Sequence, residues 1–138
     1  MIIEKKYLAA IGGVLLSALA ANHSFSEDTP AAAWEAPARA AAKKNPVAAD
    51  ADSLAAGKKV YASNCLACHG EKGKGDGPAS AAVNPKPHDL AEEVVKKQSD
   101  GALYWKLTEG MKPMPSYDKT LSESERWQVI NYLRTLGN

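Results

Sequence analysis

The stretch Cys65-Leu66-Ala67-Cys68-His69 decides the fold, because it contains both cysteines and one of the three histidines of the 138-residue chain. On a helical turn, positions i, i+3 and i+4 project from the same face, so both thiols and the imidazole point in one direction. Cys-x-x-Cys-His is the pattern of c-type haem attachment. Cys65 and Cys68 would form thioethers to the two haem vinyl groups. His69 would be the proximal iron ligand, with a backbone carbonyl holding its other ring nitrogen.

Three other interpretations of these five residues are weaker. A structural zinc site needs four Cys or His ligands, and only His23 and His88 remain to supply the fourth. A thioredoxin-like redox pair is expected beside a βαβ pattern, and no strand pattern precedes Cys65. A plain disulfide would leave His69 without a role. The stretch therefore predicts one covalently bound haem c.

The first 26 residues are interpreted as a signal peptide. Lys5 and Lys6 precede a stretch of 15 apolar or small residues, 7–21, which is shorter than the ~20 residues that cross a bilayer as a helix. Ala18-Leu19-Ala20 and Ser24-Phe25-Ser26 are candidate cleavage sites. We expect export to the periplasm, and an uncleaved membrane anchor is the alternative.

Residues 27–52 are rich in Ala and Pro and lack sustained amphipathic spacing, so they are interpreted as a linker or a docking arm. Trp34 is the exception within this arm. It either fixes the arm in a groove or faces solvent or a partner. A domain with a different pattern follows and occupies residues 53–138.

Helical patterns dominate this domain. Ser53 is a predicted N-cap for a helix that leads into Cys65, and a second helix is predicted over 103–108, closed by Gly110. A short helix over 91–97 is weaker. Ser122-x-x-Glu125 is a capping box that opens the last helix, whose apolar stripe consists of Val129, Ile130, Leu133 and Leu136. No stretch alternates as a strand does, so the predicted fold is all-α.

The sixth iron ligand has three candidates, Met111, Met114 and His88. Met114 precedes Pro115 in a Gly- and Pro-punctuated loop, 110–116, which can present a thioether with little ordering cost. Met111 is better interpreted as a core gap-filler and His88 as a surface residue. A His-Met pair would fill both axial positions, which favours electron transfer over activation of a small molecule.

The composition supports a small carrier. The 17 basic and 16 acidic residues nearly cancel, so a nucleic-acid partner is not expected. The apolar fraction of 45% includes 25 Ala, which makes a thin core that a bound cofactor would complete.

The Gly- and Lys-rich run 70–77 is interpreted as a flexible turn. A set of lysines either rings the exposed haem edge or is scattered over the surface: Lys72, Lys74, Lys86, Lys96, Lys97, Lys112 and Lys119.

Together these segments resemble a class I monohaem cytochrome c, over residues 54–137. The motifs that carry the resemblance are Cys65-x-x-Cys68-His69-Gly70, Gly75-Asp76-Gly77-Pro78, Pro85-Lys86-Pro87-His88-Asp89-Leu90, Gly110-x-x-x-Met114-Pro115-Ser116-Tyr117 and Arg126-Trp127-x-x-x-Asn131-Tyr132-Leu133-Arg134. The similarity is to bacterial periplasmic cytochromes and to cytochrome modules of respiratory complexes.

The resemblance implies the class I cytochrome c fold, with three main helices around one haem. It implies that the first and last helices cross near Gly57 and Tyr132, and that Met114 is the sixth ligand. In the family, a proline carbonyl accepts the ring N–H of the haem histidine, and here three prolines compete for that role: Pro78, Pro85 and Pro87. A second set, expected to build the pocket and the helix crossing, is Tyr61, Tyr104, Trp105, Tyr117, Trp127 and Tyr132.

The function this implies is periplasmic electron transfer in a respiratory chain, by iron that cycles between Fe(III) and Fe(II), and not enzymatic catalysis. The expected partners are redox proteins such as an oxidase, a reductase, a dehydrogenase or a copper protein. The alternative is a cytochrome c subunit of a larger respiratory or dehydrogenase complex, which docks on a membrane complex through residues 27–52. An enzyme or sensor would need a labile sixth position.

Overall fold

The computed structural model describes residues 34–137, so the predicted signal peptide lies outside the described residues. Within this part every regular element is helical: Ala38–Ala41 (α1), Ala51–Asn64 (α2), Leu66–His69 (α3), Glu93–Lys96 (α4), Asp100–Glu109 (α5) and Glu123–Leu133 (α6), with a 3₁₀ turn at Ser80–Ala82. The longest helices, α2, α5 and α6, confirm the predicted all-α fold with three main helices. None of the described helices is long and apolar enough to span a bilayer.

Helix α2 begins before the predicted start, and the prediction that Ser53 is its N-cap is wrong. The cap is Asp50, whose Oδ1 accepts a hydrogen bond from the Ser53 N–H at 2.8 Å. Ser53 instead lies buried in the first turn, where its hydroxyl accepts from Asn131 Nδ2 at 2.8 Å. A carboxylate caps a helix as well as a hydroxyl does, so α2 begins at Ala51, before the predicted cap.

Helix α6 begins with the predicted capping box. The Ser122 hydroxyl accepts from the Glu125 N–H, and the Glu125 carboxylate accepts from the Ser122 N–H at 2.8 Å. The Ser122 hydroxyl also donates to this carboxylate at 2.7 Å, and this bond together with the one from the Ser122 N–H holds the pKa of Glu125 below its usual range. Val129 and Ile130, from the predicted stripe, have no exposed surface. The helix therefore presents the apolar face that the sequence indicated.

Helix α5 ends at Gly110 as predicted, but it begins three residues earlier than residue 103. The reason is Ser99, whose hydroxyl accepts from the Ala102 N–H at 3.2 Å and caps the extra turn. Helix α4 is confirmed as a short helix inside the predicted range 91–97. These elements place α5 and the loop after it beside the Cys-x-x-Cys-His turn.

The crossing of α2 and α6 depends on a glycine, as the family resemblance implied. A Cβ at Gly57 would collide with the carbonyl oxygen of Gln128 and lie 3.0 Å from the Cβ of Tyr132. The rings of Tyr61 and Tyr132 meet beside this contact, with centroids 5.3 Å apart. The missing side chain thus lets the two backbones approach closely and sets the helix packing around the site.

We expect Gly57→Ala to lower the free energy of unfolding by at least about 2 kcal/mol, because the added methyl meets backbone atoms that cannot move alone. Urea unfolding of the haem-loaded protein measures the change. Lys58→Ala, at the exposed neighbouring position of α2, is the control and should stay within about 0.5 kcal/mol of the parent. Equal stability of the two variants would show that the helices can separate without cost.

The described part of the N-terminal arm, residues 34–50, packs along the domain. Helix α1 lies against α5, and Asn45 Nδ2 donates to Asn131 Oδ1 at 2.7 Å. Asn131 in turn donates to the carbonyls of Val47 at 3.1 Å and Ala48 at 3.2 Å. A buried amide on α6 therefore holds the arm, which was one of the two predicted placements of this segment.

Candidate functional site

The Cys-x-x-Cys-His turn lies at the end of α2 and faces a large apolar cavity. Cys65 joins α2 to α3 and is buried, while Cys68 and His69 are half-buried. All three line the same cavity. The helical spacing thus brings both sulfurs and the imidazole to one wall.

A loop covers the backbone of this turn. The carbonyls of Ala67, Cys68 and His69 have no helical partner, since α3 ends there. They accept hydrogen bonds at 2.8, 3.1 and 2.9 Å from the N–H groups of Ala79, Gly77 and Gly75, respectively. The run 70–77 was predicted to be a flexible turn. It does form turns, and these hydrogen bonds tie Gly75 and Gly77 to the Cys-x-x-Cys-His turn. The glycines are visible in the sequence, but the carbonyls to which their N–H groups donate are not.

His69 is oriented by a backbone carbonyl, as predicted, but the carbonyl belongs to a different residue. Nδ1 of His69 lies 3.1 Å from the carbonyl oxygen of His88, and none of the three candidate prolines makes this contact. Pro85 and Pro87 line the cavity instead. The hydrogen bond leaves Nε2 as the nitrogen available to a metal.

Burial favours the neutral imidazole. Burial lowers the pKa of His69. This effect is larger than the opposing effect of the hydrogen bond to the His88 carbonyl, which raises the pKa. A neutral ring carries the lone pair that binds iron, so the turn holds His69 in the protonation state that a ligand needs.

The remaining walls of the cavity are almost entirely apolar. Helix α5 contributes Leu103 and Leu107, and α6 contributes Val129 and Leu133. The loop between α3 and α5 adds a further group: Val83, Leu90, Val94 and Val95. Such walls fit a flat apolar group with a metal at its centre.

Both methionines of the loop 110–116 line the cavity. Met114 is half-buried and packs against the core, whereas Met111 is 38% exposed. The interpretation of Met111 as a core gap-filler is therefore wrong: its side chain lies at the cavity rim. The two residues exchange backbone hydrogen bonds of 2.8 and 3.0 Å, which close the loop tightly and place the two thioethers at different depths.

The end of this loop is held by a buried arginine that the sequence did not single out. Nη1 of Arg126 donates to the carbonyls of Tyr117, Asp118 and Leu121 at 3.1 to 3.2 Å, and Nη2 donates to the Tyr104 hydroxyl at 2.8 Å. Three carbonyls and a hydroxyl satisfy most donors of the guanidinium. Its position next to Trp127, on the face of α6 that is buried, was the signal that could have indicated a buried arginine.

Tyr117 links the methionine loop to the haem motif. Its N–H donates to the Leu107 carbonyl, and its hydroxyl donates to the Asn64 carbonyl, both at 2.9 Å. Asn64 immediately precedes Cys65. One side chain thus ties together α5, the loop that carries Met114 and the turn that carries the cysteines.

The predicted aromatic set divides between the cavity and the core, except for Trp105, which is half-buried and belongs to neither. Of its members, Tyr117 lines the cavity, and Tyr61 and Tyr132 meet at the helix crossing. Tyr104 and Trp127 stack in the core with centroids 4.0 Å apart. Trp34, which the sequence left without a placement, also lines the cavity.

The predicted lysine ring is only partly present. Lys86 and Lys112 line the cavity, and the other five members of the predicted set do not. A lysine outside that set, Lys106 of α5, lines it as well. Lys97 and Lys119 approach Glu93 and Asp118, respectively, on the exposed surface. The positive charge near the cavity thus comes from three lysines.

The protonation of Cys65 argues against the redox-pair interpretation. Burial, with a smaller contribution from Cys68, raises the pKa of the Cys65 thiol to about 12. Redox-active Cys-x-x-Cys pairs depend on a thiol whose pKa is lowered. The surroundings of Cys65 therefore suit an attached group better than thiol-disulfide exchange.

The donor set and the cavity agree with each other. Two sulfurs and an imidazole share one wall, a thioether lies in the same cavity, and the walls are apolar. These are the groups that a covalently attached haem requires, and the residues present fit it. The fold and the site thus define a c-type cytochrome.

Comparison with known proteins agrees. The Cytochrome c family model matches residues 54–137, and the chain belongs to this family. Cytochrome c6 of Cladophora glomerata is 32% identical over 89 residues, which cover 61% of this chain and 89% of that relative. The chain is therefore a class I c-type cytochrome that carries covalent haem c and serves electron transfer.

Two solved structures resemble the fold. A chain of the Kuenenia stuttgartiensis reducing HAO-like protein complex Kustc0457/Kustc0458 is 33% identical, with a TM-score of 0.59, and the match covers 66% of this chain but only 46% of that one. The KustC0563 c-type cytochrome has a TM-score of 0.52 at 21% identity, over 59% of this chain and 98% of that one. The second likeness concerns the fold alone.

Proposed function

We propose that this chain is an exported single-haem electron carrier with His-Met axial ligation. Cys65 and Cys68 would hold the haem by thioethers, and His69 and Met114 would be the ligands of its iron. The observation that carries the proposal is that these four residues, from two segments far apart in the chain, line one apolar cavity. When bound, the haem supplies a one-electron couple, Fe(III)/Fe(II).

The residues of the chain orient and shield this group. The His88 carbonyl holds the His69 ring, while Arg126 and Tyr117 hold the C-terminal end of the methionine loop. The apolar walls exclude water, which favours the less charged reduced state. With both axial positions filled, small molecules have no open site, so transfer of an electron is favoured over catalysis.

Export is part of the proposal. The leader is residues 1–26, followed by the arm and the haem domain, and the protein works in the periplasm. Its partners there are redox proteins, either soluble or part of a membrane complex. The leader pattern supports this location, as do the thioethers, which prevent loss of haem outside the cytoplasm.

A subunit of a larger complex is the second candidate. The 33% identical relative belongs to an HAO-like protein complex, and this is the observation that favours the second candidate. Purification of the native protein separates the two candidates. Other subunits should copurify with a complex subunit, whereas a free carrier should be isolated as a monomer.

The test of the main proposal is spectroscopic. The exported protein should contain one haem per chain, stay stained for haem on a denaturing gel and change its absorption spectrum reversibly on reduction. Carbon monoxide should leave the reduced spectrum unchanged, because both axial positions are filled. Absence of covalent haem would overturn the proposal, and ready binding of carbon monoxide would favour an enzyme or sensor.

A further inference from the structure

The N-terminal arm reaches the haem cavity with one side chain. Trp34 is half-buried and is the one described residue preceding α2 that lines the cavity. The minimal family match starts at residue 54, so this part of the wall comes from outside the matched segment. An aromatic residue from an added segment therefore covers part of the cofactor site.

The position of Trp34 is set by contacts farther along the arm. The Ser99 hydroxyl donates to the Ala41 carbonyl at 2.6 Å. A Cβ at Gly101 would lie 2.6 Å from the Lys43 carbonyl oxygen, so the arm lies directly against the start of α5. With the Asn45 to Asn131 bond, these contacts hold the arm to both α5 and α6. They keep Trp34 close to the cavity.

Lys106 ties the indole to α5. Its Nζ lies 5.0 Å from the centroid of the Trp34 ring, within the range of a cation–π interaction. Lys106 lines the cavity too. Burial lowers its pKa, and the nearby Glu35 carboxylate opposes this effect. An aromatic ring and a lysine side chain thus close one side of the cavity together.

We propose that Trp34, held by the arm and by Lys106, is a strap that excludes water from the haem cavity and raises the reduction potential of the protein. This inference rests on the proposed haem site. The oxidised centre carries one more positive charge than the reduced centre, so water stabilises it more strongly. Excluding water favours the reduced state, and the ammonium of Lys106 acts in the same direction.

The test is the midpoint potential of the full-length, haem-loaded protein with Trp34→Ala, and Trp34→Phe as the matched control. We expect Trp34→Ala to raise the ratio of oxidised to reduced protein about tenfold at a fixed solution potential. This corresponds to a midpoint potential lower by ~59 mV for one electron. The Phe variant should keep most of the parent potential, because its ring still covers the cavity. An unchanged potential in Trp34→Ala, or an equal fall in both variants, would overturn the strap.

Asn45→Ala tests the role of the arm without touching the cavity. It removes the hydrogen bonds of the Asn45 side chain to Trp127, Asn131 and Val47 and alters neither Trp34 nor Lys106 chemically. Because the loosened arm would no longer hold Trp34 over the cavity, the variant should lower the potential in the same direction as Trp34→Ala. A parent-like potential in this variant would show that the arm does not position Trp34. Haem staining accompanies each measurement: intact staining with unchanged potentials refutes the strap alone, whereas missing haem refutes the proposed site.

Discussion

A chain in which Cys65 and Cys68 are both replaced by alanine should contain no covalently bound haem. Both residues line the cavity beside His69, and no other cysteine exists in the sequence to form a thioether. The remaining chain would expose the leucines and valines of the cavity walls, and the cofactor would no longer stabilise the folded state through linkage. Haem staining and the intact mass of the denatured chain measure the loss.

The single variants keep this experiment informative if the double variant fails to accumulate. Cys65→Ala and Cys68→Ala each leave one possible thioether, so each should give a stained chain with altered absorption and lower stability. Ser63→Ala, an exposed substitution two residues before Cys65, is the control and should retain full staining. Full staining of the double variant would contradict the assignment of the two cysteines.

The second large effect is expected for Met114→Ala. Loss of a thioether ligand should lower the reduction potential by on the order of 0.2 V, since axial ligands tune haem potentials over roughly 0.8 V. The open position should also let carbon monoxide bind the reduced protein. A redox titration and a carbon monoxide difference spectrum measure the two consequences.

Met111→Ala is the matched control for that experiment. Both methionines lie in one tight loop and line one cavity, but Met111 is the more exposed of the two. We expect this variant to keep the parent potential and to resist carbon monoxide. The opposite pattern, with the large fall in Met111→Ala, would assign the sixth position to Met111.

Local patterns predicted the elements well. The capping box at Ser122 and the end of α5 at Gly110 are confirmed, because each depends on residues near in sequence. The close approach at Gly57, which the family resemblance implied, is confirmed as well. The predicted starts of α2 and α5 were wrong by a few residues. Ser53 and Asp50 are both good capping residues, and only the contact between Ser53 and Asn131 decides between them.

Long-range contacts account for the features that the sequence did not reveal. Arg126 binds carbonyls, and a carbonyl has no residue-type signature, so nothing in the sequence showed what this side chain would hold. The same reason explains His88, whose carbonyl contacts His69 although three prolines were expected to compete for that role. The hydrogen bonds of the run 70–77 likewise go to carbonyls at the end of α3 that have no partner within the helix.

The sequence by itself determined the chemistry of this cytochrome. The spacing of Cys65, Cys68 and His69 requires only one helical turn, and the helix signals around it are local. The tertiary structure decided how the site is enclosed: which carbonyl orients the histidine, how deep each methionine lies, and that Trp34 of the arm reaches the cavity. These features depend on packing between segments far apart in the chain, where side-chain shape and backbone hydrogen bonds select the partners.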